Sequence, residues 1–130
     1  MAKAGDNFSL VNKTRTKVPR APFSNIKKVV LGEDYELSTA LLTESEMRKA
    51  SVEGKHGDTA ANVLSFPFSK TSGEILLCPA TIRKQAKLYS KTPDDFLVYL
   101  FIHGLCHLKG HVHGVIMEDE ESQIAKQFGF

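Results

Sequence analysis

Short apolar runs separated by turn residues predict a small number of strands. The segment from Glu36 to Leu42 is predicted as a strand. Two further strands are predicted from Asn62 to Phe68 and from Glu74 to Cys78. Pro67 restricts the first of these two to an edge or an end of the sheet, because proline cannot donate a ladder hydrogen bond. The short turn between them favours an antiparallel pair.

Helical start and stop signals frame the remaining segments. The sequence Thr43-Glu44-Ser45-Glu46 is a capping box, and it predicts a short helix through Ala50. Ala80 to Tyr89 is a second predicted helix. Thr92 is an N-cap followed by Pro93, and Gly110 ends the helix that they begin. That helix is apolar on nearly all sides, so we expect it to be central and buried. A last helix is predicted from Glu118 to Gln127. Residues 26–31 begin an apolar segment for which the sequence does not distinguish helix from strand.

These elements predict an α/β or α+β fold with a small mixed sheet and a buried helix near the C-terminus. The length of 130 residues predicts a single domain over residues 1–130. The longest apolar run, from Phe96 to Ile102, is too short for a membrane span. The first residues lack the apolar core of a secretory signal, so a cytoplasmic protein with two reduced thiols, Cys78 and Cys106, is expected.

Charge is distributed unevenly along the chain. Residues 1–32 carry seven Lys or Arg and one acid, whereas residues 114–130 carry one basic residue and four acids. Residues 1–24 are therefore predicted to form a basic N-terminal arm or edge strand, which suits a polyanionic partner such as nucleic acid. The sequence makes no prediction about the oligomeric state.

The candidate chemistry lies in a cluster of histidines near the C-terminus. His103 and His107 are four residues apart, which places their rings on one helix face, about 6 Å apart along the axis. Gly110 then allows the chain to reverse, so that His113 can fold back toward the pair; His111 is the competing third residue. Imidazoles at this spacing are typical ligands of one metal ion, as in H-E-x-x-H zinc enzymes.

Three histidine ligands leave a fourth position for water, which is the catalytic arrangement of zinc. A structural zinc site would need a fourth protein ligand, either His111 or Cys106. A peptidase is disfavoured because Gly104 occupies the position where H-E-x-x-H proteases carry their general base.

The histidine cluster resembles the signature of the YbeY family of single-strand-specific metallo-endoribonucleases. The matching residues are His103-Gly104-x-x-His107-Leu108-x-Gly110-x-x-His113. The segment from Asn62 to Phe68 is similar to the family's Thr-Asp-Val-Leu-Ser-Phe-Pro segment, and Gly73 to Pro79 resembles the strand that follows it. The resemblance covers about residues 35–130.

The resemblance implies a metalloprotease-like fold with a central metal-bearing helix. It implies one Zn²⁺ per chain on His103, His107 and His113, and cleavage of single-stranded RNA. It further implies maturation of ribosomal RNA at the small-subunit 3′ end, ribosome quality control, and binding to ribosomal subunits.

The sequence departs from the family pattern at several positions. Val112 replaces the usual Asp, and Ala61-Asn62 replaces Thr-Asp. Lys55 stands near the position of a functional arginine, and Arg48 is the alternative for that role. Lys55 is our predicted catalytic residue, since it keeps the positive charge although it lacks the bidentate fork. These departures leave a non-catalytic zinc-binding ribosome-assembly or RNA-binding factor as the alternative function.

Overall fold

The computed structural model describes residues 7–53, 60–110 and 114–130. The described residues form four strands: β1 (Phe8–Asn12), β2 (Glu36–Leu41), β3 (Val63–Ser69) and β4 (Ser72–Leu77). They form five α-helices: α1 (Phe23–Leu31), α2 (Glu44–Glu53), α3 (Pro79–Gln85), α4 (Pro93–Leu108) and α5 (Val115–Gln127). A short 3₁₀ helix, Ala86–Tyr89, continues α3.

The four strands form one mixed sheet in the order β1-β2-β4-β3. Strands β1, β2 and β4 are parallel, and β3 pairs antiparallel with β4 through a tight connection. The predicted antiparallel pair is therefore confirmed. Pro67 lies in β3, at the edge of the sheet. An edge strand has a neighbour on one side only, so it tolerates a residue that has no N–H to donate. The segment predicted as an N-terminal edge strand or arm contains β1, at the opposite edge.

Local capping signals determine where two of the helices begin. In the capping box before α2, Thr43 Oγ1 accepts a hydrogen bond from the Glu46 N–H at 3.2 Å, and Glu46 Oε1 accepts from the Thr43 N–H at 3.2 Å. Thr92 Oγ1 accepts from the Asp95 N–H at 3.1 Å, with Pro93 at the first position of α4. Both helix starts agree with the sequence prediction.

Helix α4 is the centre of the molecule, as its apolar sequence predicts. Its buried residues contact the sheet and the helices α1, α3 and α5. Phe101, Ile102 and Leu105 have no exposed surface. Gly110, with φ +107°, follows the end of α4, and its N–H donates to the His107 carbonyl at 3.0 Å.

Helix α5 begins at Val115, three residues before the predicted start. The acidic run from Glu118 to Glu121 is typical of a first helical turn. However, Gly114, with φ +153°, is the N-cap residue, so Val115 and Ile116 belong to the first turn although both are exposed. Met117, in the same turn, is buried against the core.

Gly104 allows α4 to approach the sheet closely. A Cβ atom at this position would lie 2.9 Å from Ser65 Oγ and 3.1 Å from Ile75 Cδ1. The Ser65 hydroxyl donates to the Gly104 carbonyl at 3.3 Å, across the same contact. The glycine is thus required by the distance between the helix and the sheet rather than by a special φ angle.

The predicted fold class, a small mixed sheet with a central buried helix, is confirmed. Within the described residues, no helix has the length and hydropathy required to cross a membrane. Cys78 and Cys106 are free and buried, as expected for reduced thiols.

We predict that Gly104→Ala lowers the free energy of unfolding by about 1–3 kcal/mol, because the added methyl group overpacks the contact with Ser65 and Ile75. This loss should exceed the gain of about 1 kcal/mol that alanine brings to a helix interior. Urea denaturation followed by circular dichroism measures the change.

The double variant S65A/G104A is the matched control, since it removes the Ser65 oxygen that the new Cβ would meet. It should recover part of the lost stability. A Gly104→Ala protein as stable as the parent would contradict this account of the packing.

Candidate metal centre

Helix α4 brings the side chains of His103 and His107 together. Their Nε2 atoms are 3.2 Å apart, and their ring planes are almost perpendicular, at 88°. Both residues are partly buried, and both border the same cavity on the β3 side of the helix. The i, i+4 spacing therefore has the geometric result that the sequence predicts.

The two imidazoles fit a shared metal ion. Zinc–nitrogen bonds of about 2.0–2.1 Å at a tetrahedral angle separate two ligand nitrogens by about 3.3 Å. The observed Nε2–Nε2 distance of 3.2 Å is close to that value. Neutral imidazole nitrogens are also the donor type that zinc and several other transition metals prefer.

Glu121 of α5 holds the ring of His103 from the other side. The Nδ1–H of His103 donates to Glu121 Oε2 at 2.5 Å. The carboxylate is 3% exposed, so this hydrogen bond is shielded from water. A carboxylate that accepts from Nδ1–H leaves the lone pair on Nε2, which is the atom that faces His107. The pair thus has the form of a carboxylate–histidine unit that orients a metal ligand.

Tyr99 satisfies the second oxygen of the same carboxylate. Its hydroxyl donates to Glu121 Oε1 at 3.0 Å. Burial, followed by the hydrogen bond to Glu121, raises the pKa of Tyr99 to about 12. The phenol therefore stays protonated at neutral pH and remains a donor. Glu121 is held by two residues of α4 that are one helical turn apart.

Sequence reasoning did not identify Glu121 as a functional residue. The acidic run by itself predicts only the start of a helix. The available signal was periodicity, because Glu121 shares one face with the buried residues Met117, Ile124 and Ala125. A carboxylate on the apolar face of a helix needs hydrogen-bond partners, and such a residue is a candidate for a site.

Two cavities meet at His103. One, of about 430 Å³, lies along β3 and includes Ser65, Pro67 and His107. The other, of about 710 Å³, extends toward α5 and includes Glu121. Asn62 and Val63 border both. Asn62, which replaces the aspartate of the YbeY pattern, donates from Nδ2 to Gln85 Oε1 at 2.8 Å.

Gly104 leaves no room for a protease-type general base. Its missing Cβ would point at Ser65 and Ile75 of the sheet, so a glutamate side chain there would collide with both. This geometry agrees with the sequence argument against a peptidase of the H-E-x-x-H type.

Cys106 does not join the histidine pair. It is fully buried, and burial together with a hydrogen bond to Glu120 raises the pKa of its thiol. A protonated, enclosed thiol is a poor metal ligand. This environment disfavours Cys106 as a fourth ligand in a structural zinc site.

The predicted ligand His113 and the predicted catalytic residue Lys55 lie outside the described residues, as do His56, His111 and Val112. Arg48, the alternative to Lys55, is an exposed residue of α2 and borders neither cavity at His103. In the described ranges, no three His, Cys, Asp or Glu side chains are grouped closely enough to hold a metal ion. The structure therefore provides two of the three predicted ligands as a pair.

Comparisons with known proteins agree on one family. The family model described as Endoribonuclease YbeY matches residues 7–129. A protein named Endoribonuclease YbeY from Finegoldia magna is 31% identical over 109 residues, which cover 75% of this chain and 71% of that protein. The protein of the same name from Sulfurimonas denitrificans is 34% identical, and the match covers 72% of this chain and 72% of that protein. The one from Francisella philomiragia is 30% identical, and the match covers 90% of this chain and 84% of that protein.

A solved structure supports the fold independently. The solution structure of TM1509 from Thermotoga maritima matches with a TM-score of 0.68 at 18% identity, over 93% of this chain and 88% of that one. The family match extends from β1 to the end of α5, and it includes the histidine pair, Glu121 and both cavities. The chain therefore belongs to the YbeY endoribonuclease family.

Proposed function

We propose that this protein is a zinc-dependent endoribonuclease that cleaves single-stranded RNA during ribosomal RNA maturation at the small-subunit 3′ end. The observation that carries the proposal is the pair of Nε2 atoms 3.2 Å apart, with the His103 ring oriented by a buried carboxylate. This pair occurs in a chain of the YbeY endoribonuclease family. Ribosome quality control, binding to ribosomal subunits and a cytoplasmic location are part of the same proposal.

His113 is the proposed third ligand of one Zn²⁺ per chain. Helix α4 ends before Gly110, and α5 begins at Val115 and contacts α4 through Glu121. The spacing of six residues between His107 and His113 supports His113 as the third ligand.

The residues of this chain would divide the work of RNA cleavage. His103, His107 and His113 would hold the ion, and Glu121 would keep the His103 lone pair directed toward it. A bound zinc ion supplies Lewis acidity, which activates water and stabilises developing negative charge. Lys55 would neutralise charge on the phosphate under attack, with Arg48 as the alternative.

The N-terminal region would contribute contacts to the RNA backbone. Exposed basic side chains follow β1 at Lys13, Arg15, Lys17 and Arg20. Arg83 of α3 donates to Thr16 Oγ1 at 3.2 Å, and this hydrogen bond connects the segment to α3. The 3₁₀ helix that continues α3 ends at Tyr89, which borders the larger cavity. Basic side chains along such a surface attract phosphates without reading sequence.

The second candidate function is a zinc-binding RNA or ribosome-assembly factor without catalysis. Asn62 favours it, because this neutral amide borders the site where the family pattern has a carboxylate. Both functions require the metal centre and RNA binding, so only cleavage distinguishes them.

Metal content tests the ligand set first. We expect about one zinc per chain in the purified protein by elemental analysis, and loss of most of it in His103→Ala, His107→Ala and His113→Ala. His56→Ala is the matched control, and His111→Ala should also retain zinc. If His113→Ala keeps its zinc and His111→Ala loses it, the third ligand is His111 and not His113.

Glu121→Gln tests the orienting carboxylate. The amide has nearly the same shape but lacks the charge that holds the His103 tautomer, so zinc affinity should fall about 10- to 100-fold. Competition with a chromogenic chelator measures the affinity. Asp119 is an exposed neighbour, and Asp119→Asn makes the same change of charge, so this variant should bind zinc like the parent. If Glu121→Gln binds zinc as tightly as Asp119→Asn, Glu121 does not orient a zinc ligand.

Cleavage of a single-stranded RNA by the purified protein tests the reaction. The activity should disappear with a chelator and return with zinc, while a fully paired duplex stays intact. Lys55→Ala should lower the rate about 100-fold or more, whereas Arg48→Ala should leave it unchanged. Zinc-dependent RNA binding without cleavage would favour the assembly-factor alternative.

A further inference from the structure

The larger cavity at His103 has an aromatic wall that the metal centre does not use. It has a volume of about 710 Å³, within the range of about 300–1,000 Å³ that is usual for small-molecule sites. Tyr89, Phe96 and Tyr99 border it on one side, and Lys91 and Glu118 contribute the nearby charges. His103 is part of the same lining, so the cavity adjoins the candidate metal centre.

Tyr89 presents an exposed aromatic ring on a rigid support. Its ring stacks on Phe96 with centroids 4.7 Å apart and an angle of 23° between the planes. Phe96 is 2% exposed and belongs to the core, whereas Tyr89 is 58% exposed. Ser90, in the left-handed region at φ 55°, turns the chain directly after Tyr89. One face of the ring is therefore fixed by the core, and much of the remainder faces solvent at the cavity.

A cation lies next to this ring system. Lys91 Nζ is 4.9 Å from the centroid of the Tyr99 ring, in the position of a cation–π contact. Tyr99 is itself fixed by its hydrogen bond to Glu121. The exposed carboxylate of Glu118 faces the same space and would repel a phosphate, whereas it can accept a hydrogen bond from the edge of a base.

We propose that this cavity is a nucleobase subsite, in which one base of single-stranded RNA stacks on Tyr89 while the adjoining phosphate lies at His103. The inference rests on the proposed function, because it takes RNA as the substrate. Aromatic faces combined with a basic side chain are the usual means of binding unpaired bases without strict sequence preference. A paired base cannot reach Tyr89 without leaving its helix, so the subsite would select for single strands.

The tyrosines of the chain supply a direct signal. The protein has three tyrosines and no tryptophan. Tyr89 and Tyr99 border the cavity, whereas Tyr35 is 7% exposed and borders neither cavity at His103. A base that stacks on Tyr89 should quench tyrosine emission. Tyr89→Phe should lose that part of the quenching although it still binds, because the substitution removes the emitting ring.

The test is binding of a short single-stranded RNA to the full chain in the presence of a chelator, which prevents cleavage. Anisotropy of an end-labelled oligonucleotide gives the dissociation constant. Tyr89→Ala should weaken binding roughly 5- to 100-fold, and Tyr89→Phe should bind like the parent. Leu88→Ala is the matched control, since Leu88 is 80% exposed but lies outside the cavity lining.

A change in the ligand makes the test independent of protein folding. In a series of oligonucleotides with one abasic residue at successive positions, one position should weaken binding to the parent protein. The same position should have little further effect on Tyr89→Ala, because the stacking partner is already absent. Equal binding by Tyr89→Ala and Leu88→Ala, or abasic oligonucleotides that all bind as tightly as the intact RNA, would overturn the proposal.

Failure of the subsite differs from failure of the proposed function. If the zinc-loaded parent cleaves RNA while Tyr89→Ala binds and cleaves normally, only the subsite is wrong. Suppose instead that the parent protein shows no cleavage, while the abasic residue and Tyr89→Ala together weaken binding no more than either change alone. In that case the subsite stands and the catalytic function does not.

Discussion

The candidate site depends on the buried carboxylate of Glu121 and its two donors on α4. Tyr99 and His103 are one helical turn apart, and each donates to a different oxygen of Glu121. A buried carboxylate without such donors would be strongly destabilising, so α5 must lie where both hydrogen bonds form. The same contact fixes the rotation of the His103 ring. The packing of α5 and the orientation of the candidate ligand His103 therefore depend on the same contact.

Helix α4 meets three different demands on three of its sides. Phe101 and Leu105 fill the core, Gly104 permits contact with the sheet, and His103 and His107 face the cavities. Because most sides of α4 pack against other elements, its sequence is apolar nearly all round. Its two histidines are acceptable in that setting because each ring has a polar partner. Polar residues on a buried helix are thus informative about function.

The elements that could be predicted from sequence are those determined by local interactions. The capping box at Thr43, the N-cap at Thr92 and the hairpin of β3 and β4 involve residues close in the chain, and all three appear as predicted. The histidine pair is local as well, since a helix dictates its spacing. Glu121 could not be identified in this way because its partner His103 is 18 residues away on a different helix. The parallel order of β1, β2 and β4 likewise depends on packing between distant segments.

The surroundings of the histidine pair restrict how an RNA-cleaving reaction could proceed. Asn62 and Ser65, which border the cavity along β3 beside His103, are neutral at ordinary pH, so neither can serve as a general base. Glu121 is occupied by Tyr99 and His103 and is shielded from solvent, so its role is to position rather than to accept a substrate proton. Gly104 removes the base of the protease pattern for steric reasons. None of the described residues that border the cavity along β3 is therefore a carboxylate base. A reaction in that cavity would depend on a bound metal ion more strongly than it would in a site that had such a base.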